Sequence, residues 1–163
     1  MIALVRPIRE IREALNKAKP GLLLTGAVAA VEDIIRNSYD IKSISGFYDY
    51  IFLLSFDLHG YWESTTDMHA KLHEKSGSGK NNTEHAAKVW LDGGMPKSKI
   101  VIGIPTYGRA YHLTSSANGL GASANGLADP TENFDIAVPY EEVSLPLSSS
   151  LSKRKIVYKT PLQ

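Results

Sequence analysis

The sequence predicts an α/β fold built on a parallel sheet, and two observations lead to that prediction. Three nearly continuous apolar runs occupy residues 22–30, 50–57 and 100–107. Such runs are typical of strands that are buried on both faces, as strands of parallel sheets are. Helical segments precede the first and third runs, and polar loops follow the runs. This alternation indicates βα units.

A helix is predicted at the start of the chain, because apolar residues recur there at spacings of four, three and four. They form one stripe, with charged residues around it. Pro20 and Gly21 end this helix, and the first apolar run follows directly. Residues 32–37 fit either a short helix or a loop. The residues of the apolar stripe are Leu4, Ile8, Ile11 and Leu15.

The second run leads into a polar loop that contains Gly60, as expected where a strand ends. A short helix is predicted over residues 83–91, with Asn82 or Thr83 as its N-cap and Gly93-Gly94 at its end. The third run follows. Beyond Leu113 the composition shifts toward serine, alanine, asparagine and glycine, and an irregular tail is predicted after residue 134.

Bulk composition excludes several classes of function. The chain has 163 residues and a formal net charge of +1, so neither nucleic acid nor an anionic membrane is an expected partner. It has no cysteine, which excludes disulfides and thiol chemistry. His69 and His73 are four residues apart but lack the glutamate that follows the first histidine of a zinc protease helix, so no metal is expected. No cofactor is expected either. No signal peptide is visible after Met1.

Three strings carry a resemblance to a known family. The first covers residues 22–28, which read LLLTGAV. The second covers residues 39–63 and includes YD, YDYI and LSFDLHG before a final WE. The third joins WL at 90–91 to GIPTYGR at 103–109. In order and spacing the strings resemble the fifth, sixth and seventh strand regions of the family-18 glycoside hydrolases, which include the chitinases and chitinase-like proteins.

This resemblance implies a partial (β/α) TIM-type barrel, with three parallel strands, flanking helices and no closure. A complete barrel of this type needs about 200 residues or more. Residues 1–115 are predicted to form the partial barrel. Residues 116–163 are predicted to be the irregular start of an insertion region or a degenerate tail. The chain is expected to begin after the family's fourth strand and to stop within the insertion after the seventh.

The family hydrolyses or binds chitin, the β-1,4-linked polymer of N-acetylglucosamine, and chitin or a chito-oligosaccharide is therefore the expected partner. Family members are extracellular, which implies that location here. In the family the substrate's acetamido oxygen attacks the anomeric carbon while a glutamic acid protonates the leaving oxygen, an exception to the two-carboxylate scheme. That glutamate lies in an Asp-x-x-Asp-x-Asp-x-Glu string, which this sequence lacks. The chain is therefore expected to be inactive.

The resemblance also assigns roles to particular residues. Asp57 would position and polarise the acetamido group, while Tyr107 and Arg109 would line the sugar groove. Trp62 would stack on a sugar face. Phe56 stands where the family usually has tyrosine, and the missing hydroxyl would remove one hydrogen bond to the acetamide. Each residue also has a purely structural interpretation: a loop-capping aspartate, an arginine in an ion pair or a packed aromatic.

Other interpretations stay open at this stage. The chain is compatible with a non-catalytic, lectin-like chitin-binding protein, and with a non-functional gene fragment. Asp57 and Glu63 are a carboxylate pair that a different acid–base scheme would use. His59 lies two residues from Asp57, as in a general-base pair, but no serine or cysteine motif completes a triad.

Overall fold

The computed structural model describes residues 5–74, 79–126, 137–139 and 155–158. They fall into two compact units. The first comprises the chain up to Ser55 together with Leu72–Gly103, and the second comprises Phe56–Lys71 and the chain from Ile104 onward. In chain order the elements are α1 (Val5–Ala18), β1 (Thr25–Val28), α2 (Glu32–Ser38), α3 (Ile41–Ile44), β2 (Tyr50–Leu53), α4 (Thr83–Asp92), a 3₁₀ turn (Lys97–Lys99), β3 (Ile100–Ile102), β4 (Tyr107–His112), β5 (Ala137–Pro139) and β6 (Lys155–Tyr158).

The first unit contains the predicted parallel sheet, with strand order β1-β2-β3. Its register aligns Ala27 with Phe52 and Phe52 with Val101. The strands lie inside the three predicted apolar runs but are shorter. Pro105 has no N–H to donate to a ladder, and residues from Tyr107 onward form β4 in the second unit. The third run is therefore divided between two elements.

The central strand β2 of this sheet has one packed face and one open face. Ile51 and Leu53 of β2 are 0% exposed, whereas their neighbours Tyr50 and Phe52 are 40% and 41% exposed. Successive side chains of a strand point to opposite sides. Ile51 and Leu53 therefore face the packed side of β2, and Tyr50 and Phe52 face the open side. The described strands of this unit do not close a barrel, as the sequence predicted.

Two helices of the first unit, α1 and α4, are held in place by side-chain hydrogen bonds to the backbone of other segments, and α4 begins at an N-cap that the sequence predicted. Asn82 is the N-cap of α4, where its side chain accepts from the His85 amide at 2.8 Å. Trp90 of α4 is fully buried and donates to the Ala29 carbonyl at 2.9 Å. Arg12 of α1 donates to the Phe47 carbonyl at 2.9 Å. None of the described helices combines the length and the apolar character needed to cross a bilayer.

The second unit contains a sheet that the sequence did not predict. β4 pairs antiparallel with both β5 and β6, in the order β5-β4-β6. Where the chain after residue 134 is described, it therefore forms strands rather than an irregular tail. The other residues of that tail lie outside the described part of the chain, and the division at residue 115 stays a prediction. A small core lies beside β4 and consists of Tyr111, Leu113, Ala122 and Ala124.

Candidate functional site

Asp57 lies four residues after the end of β2 and adopts an unusual backbone conformation. Its φ is +58°, and among the described residues no other non-glycine residue has a positive φ. Aspartate tolerates this left-handed region better than most residues, but the conformation still needs support from its surroundings. The Asp57 amide provides one support by donating to Nδ1 of His69 at 3.2 Å. Strained backbone of this kind is concentrated at functional sites.

The Asp57 carboxylate is the centre of a hydrogen-bonded cluster. Its Oδ1 accepts from the Tyr107 hydroxyl at 2.6 Å and from Nε of Arg109 at 2.7 Å. The side chain of Arg109 is 12% exposed and that of Asp57 is 35% exposed. The pair is thus partly buried, with one side of the carboxylate open to solvent.

The surroundings keep this carboxylate ionised. Burial has the largest single effect and by itself raises the pKa of Asp57. The hydrogen bonds from Arg109 and Tyr107 outweigh it, and the pKa of Asp57 lies below its ordinary value. Burial and the neighbouring Asp57 also raise the pKa of the Tyr107 hydroxyl well above its ordinary value. Asp57 is therefore an acceptor and Tyr107 a donor across the neutral pH range.

Aromatic side chains extend the cluster to the surface. The Arg109 guanidinium carbon lies 5.9 Å from the centre of the Trp62 ring, within the range of a cation–π contact. Trp62 is 53% exposed, so part of its ring is free to contact a ligand. A β-carbon on Gly60 would come within 2.5 Å of that ring, so the glycine allows the close approach. Phe56 packs edge-on against Tyr107, with 6.2 Å between ring centres.

All five residues that the resemblance selected are therefore brought together, and all belong to the second unit. The other two candidates of this loop have different partners. Nδ1 of His59 lies 3.0 Å from the Glu63 carboxylate, and Glu63 also accepts from the Gly60 amide at 3.2 Å. The carboxylates of Asp57 and Glu63 thus take part in separate sets of hydrogen bonds.

His69 is the site residue that sequence reasoning missed. In the sequence it stands out only as half of a metal-ligand spacing, yet its side chain is 1% exposed and touches both Asp57 and Tyr107. Burial lowers its pKa. No local pattern would have found it, because its partners are 12 and 38 residues away in sequence. Among the residues that the structure describes, no group of three potential metal ligands occurs.

Comparison with known proteins identifies the family of the chain. The sequence matches Glycosyl hydrolases family 18 over residues 2–158. The endochitinase of Brugia malayi is 46% identical over 120 residues, which cover 71% of this chain and 24% of the relative. The chain thus spans about a quarter of that relative's length.

Solved structures give the same result. The Group IV chitinase of Ostrinia furnacalis in complex with allosamidin is similar with a TM-score of 0.75 and 36% identity, over 85% of this chain and 39% of that chain. Human YKL-39, a pseudo-chitinase with retained chitooligosaccharide binding properties, is similar with a TM-score of 0.70 and 38% identity, over 75% of this chain and 36% of that chain. These likenesses confirm the predicted fold class. Because the family match covers nearly the whole sequence, the chain belongs to glycosyl hydrolase family 18.

Proposed function

We propose that this chain contributes a binding site for oligosaccharides of β-1,4-linked N-acetylglucosamine. The observation that carries the proposal is the cluster in which ionised Asp57 is held by Tyr107 and Arg109 beside an exposed Trp62. The proposal is supported by the chitooligosaccharide binding of human YKL-39, which shares the family and the fold.

The chemistry of the cluster suits an acetamido sugar. The open side of the Asp57 carboxylate can accept the N–H of an acetamido group, and Arg109 offers several donors to sugar oxygens. The exposed part of Trp62 can pack against the apolar face of a sugar ring. Apolar surface with a few convergent polar groups is the usual composition of a small-ligand site.

We further propose that the 163 residues bind without hydrolysing. The Asp-x-x-Asp-x-Asp-x-Glu string is absent from them, so they do not supply the family's general acid. A general acid typically contributes about 10²–10⁴-fold to the rate. Asp57 would still be placed to stabilise positive charge on a reacting acetamido group. A second candidate function is therefore a contribution to hydrolysis within a longer protein, which the likeness to the Ostrinia furnacalis chitinase favours.

Phe56 is expected to weaken sugar binding relative to a tyrosine. A tyrosine hydroxyl at this position would offer the acetamide one more hydrogen bond, worth about 0.5–1.5 kcal/mol. Phe56→Tyr is therefore the variant expected to tighten binding. We also propose an extracellular location, which the family resemblance supports and which secretion of the tagged protein from its source organism would test.

Titration calorimetry with the tetramer of N-acetylglucosamine tests the binding site. Weak binding by the wild-type chain is expected, and it should fall in Asp57→Ala and in Tyr107→Ala. Leu91→Ala is the matched control, because Leu91 is an exposed residue of α4 in the other unit. If both site variants bind as well as the wild-type chain does, the proposed site is wrong.

A fluorogenic chitobioside tests the absence of hydrolysis. No turnover above the blank is expected from the purified chain. Turnover that is abolished by Glu63→Gln would contradict the proposal and would instead support an acid–base role for the loop carboxylates.

A further inference from the structure

His69 connects the two segments that carry the candidate site. It lies in the loop that follows Asp57, and its ring reaches both Asp57 and β4. The Asp57 amide donates to Nδ1 at 3.2 Å, and Nε2 lies 3.1 Å from the Tyr107 carbonyl oxygen. The ring also packs against the Tyr107 ring, with 4.9 Å between centres. One buried side chain thus contacts both residues that define the cluster.

The two backbone contacts of the ring, which are its shortest, indicate one tautomer of His69, whereas Asp57 Oδ1, at 3.3 Å from Nδ1, would favour a proton on that nitrogen. The Tyr107 carbonyl oxygen can only accept, so Nε2 must carry a proton. The Asp57 amide can only donate, so Nδ1 must offer its lone pair. Only the neutral imidazole with its proton on Nε2 satisfies both contacts. Burial, which lowers the pKa of His69, favours this neutral form.

We propose that neutral His69 is the positioning residue of the site and holds the backbone of Asp57 so that its carboxylate faces the ligand. The proposal rests on the oligosaccharide binding proposed above. The positive φ of Asp57 costs free energy and needs a compensating contact, and the hydrogen bond from the Asp57 amide to Nδ1 provides one. The contacts with the Tyr107 carbonyl and ring fix the residue whose hydroxyl donates to the same carboxylate.

Protonation of His69 would disturb this arrangement. Within the described part of the chain, three titratable or charged side chains face the ring: Asp57, with Oδ1 at 3.3 Å from Nδ1, together with Tyr107 and Arg109 from β4. An imidazolium could no longer accept from the Asp57 amide and would compete with Arg109 for the carboxylate. Because the pKa of His69 is lowered, binding should be constant around neutral pH and weaken only as the pH falls through that lowered pKa. Asp57, whose pKa is also lowered, stays ionised there.

Two substitutions separate positioning from simple packing. In His69→Asn, the side-chain oxygen replaces Nδ1 as the acceptor for the Asp57 amide, whereas His69→Ala has no acceptor. His73→Ala is the control, because His73 is an exposed histidine four residues further along. Each variant is first shown to keep the far-UV circular dichroism of the wild-type chain. Affinity for the N-acetylglucosamine tetramer is then measured in steps from about pH 7.5 down to about pH 4.5, because the lowered pKa of His69 lies below the ordinary histidine value.

We expect His69→Ala to weaken binding by about tenfold, the size of losing one hydrogen bond that orients a binding group. His69→Asn should recover most of that loss and should not weaken at the lower pH, and His73→Ala should match the wild-type chain. Folded His69→Ala that binds like the wild-type chain, or His69→Asn that binds as weakly as His69→Ala, overturns the proposal.

Nuclear magnetic resonance provides a readout that does not depend on the ligand. The imidazole nitrogens of His69 should show a protonated Nε2 and an unprotonated Nδ1 at neutral pH, and the Asp57 amide should shift in His69→Ala more than in His69→Asn. If the wild-type chain binds no tetramer, the proposed function fails, and the resonances alone decide the positioning role. A protonated Nδ1, or an Asp57 amide that is unchanged in His69→Ala, overturns it.

Discussion

The contact between Asp57 and Arg109 allows a quantitative prediction about the stability of the second unit. We consider the substitutions Asp57→Asn and Arg109→Met, alone and together. Asparagine tolerates a positive φ as aspartate does, so Asp57→Asn removes only the charge. Methionine keeps much of the arginine's apolar stem. The cycle therefore isolates the electrostatic coupling between the two side chains.

The expected coupling follows from the burial of the two partners. Exposed ion pairs contribute about 0.2–1 kcal/mol, whereas removing one partner of a fully buried pair costs about 3–5 kcal/mol. Arg109 is 12% exposed and its Nε lies 2.7 Å from Oδ1, but Asp57 is 35% exposed and is screened by solvent on one side. We therefore expect a coupling of about 1–2 kcal/mol, between the two limits. Arg109→Met should destabilise less than Asp57→Asn, which leaves a mostly buried guanidinium without its carboxylate.

Fluorine resonances can report the two units separately. The chain has two tryptophans, of which Trp62 lies in the second unit beside Arg109 and Trp90 lies in the first. Labelling with 5-fluorotryptophan gives one resonance for each, and urea unfolding is followed at both. The coupling should appear in the unfolding free energy measured at Trp62. A coupling below about 0.3 kcal/mol, within the usual error of additivity, would show that the contact does not stabilise the unit.

Three further predictions concern the first unit. The chain should bind the dye ANS through the open sheet face, and Phe52→Ser should reduce the dye fluorescence, because Phe52 is 41% exposed on that face; unchanged fluorescence would place the dye elsewhere. Trp90→Phe should destabilise the unit by about 1–3 kcal/mol in urea, since it removes part of a fully buried ring and the hydrogen bond to the partly buried Ala29 carbonyl; an unchanged midpoint would contradict this. The pKa of Glu32 is lowered to about 2 by hydrogen bonds from Lys80, Arg36 and His85. The stability that its ionised carboxylate contributes is therefore complete above the ordinary pKa and is lost as the pH falls toward about 2. On acidification the urea midpoint of Glu32→Gln should fall less than that of the wild-type chain.

The fold class could be predicted from the sequence, but the lengths of the strands could not. Tyr50 and Phe52 are large hydrophobic residues like Ile51 and Leu53, so the run shows no alternation although the two sets face different surroundings. The apolar runs also continue beyond the hydrogen-bonded residues of each strand, so the strands predicted from them were too long. Pro105 is a sequence signal for the end of the third strand, because proline has no N–H for a ladder hydrogen bond. Strands β5 and β6 were missed because they are short and their partner β4 is distant in sequence.

The candidate site divides in the same way into predictable and unpredictable parts. Asp57, Tyr107 and Arg109 could be selected because they occur in strings that resemble a family, and the structure places them in hydrogen-bonding contact. Their ionisation states could not be predicted, because these depend on the balance between burial and hydrogen bonds. His69 could not be selected at all, since a buried histidine has no sequence signature unless its partners are near in the chain.

The location of the site within one unit bears on how it can be tested. The loop that carries Asp57, Trp62 and His69 is held by hydrogen bonds to other residues of the second unit. Thr66 donates to the Gly119 carbonyl at 2.7 Å, and Tyr111 of β4 donates to the Asp67 carbonyl at 3.1 Å while accepting from the Asp67 amide at 3.3 Å. The described contacts that assemble the cluster are thus made inside the second unit. Closure of the parallel sheet is therefore not required for these contacts to form. A binding experiment on this chain tests the cluster itself, even though the first unit leaves one face of its sheet open.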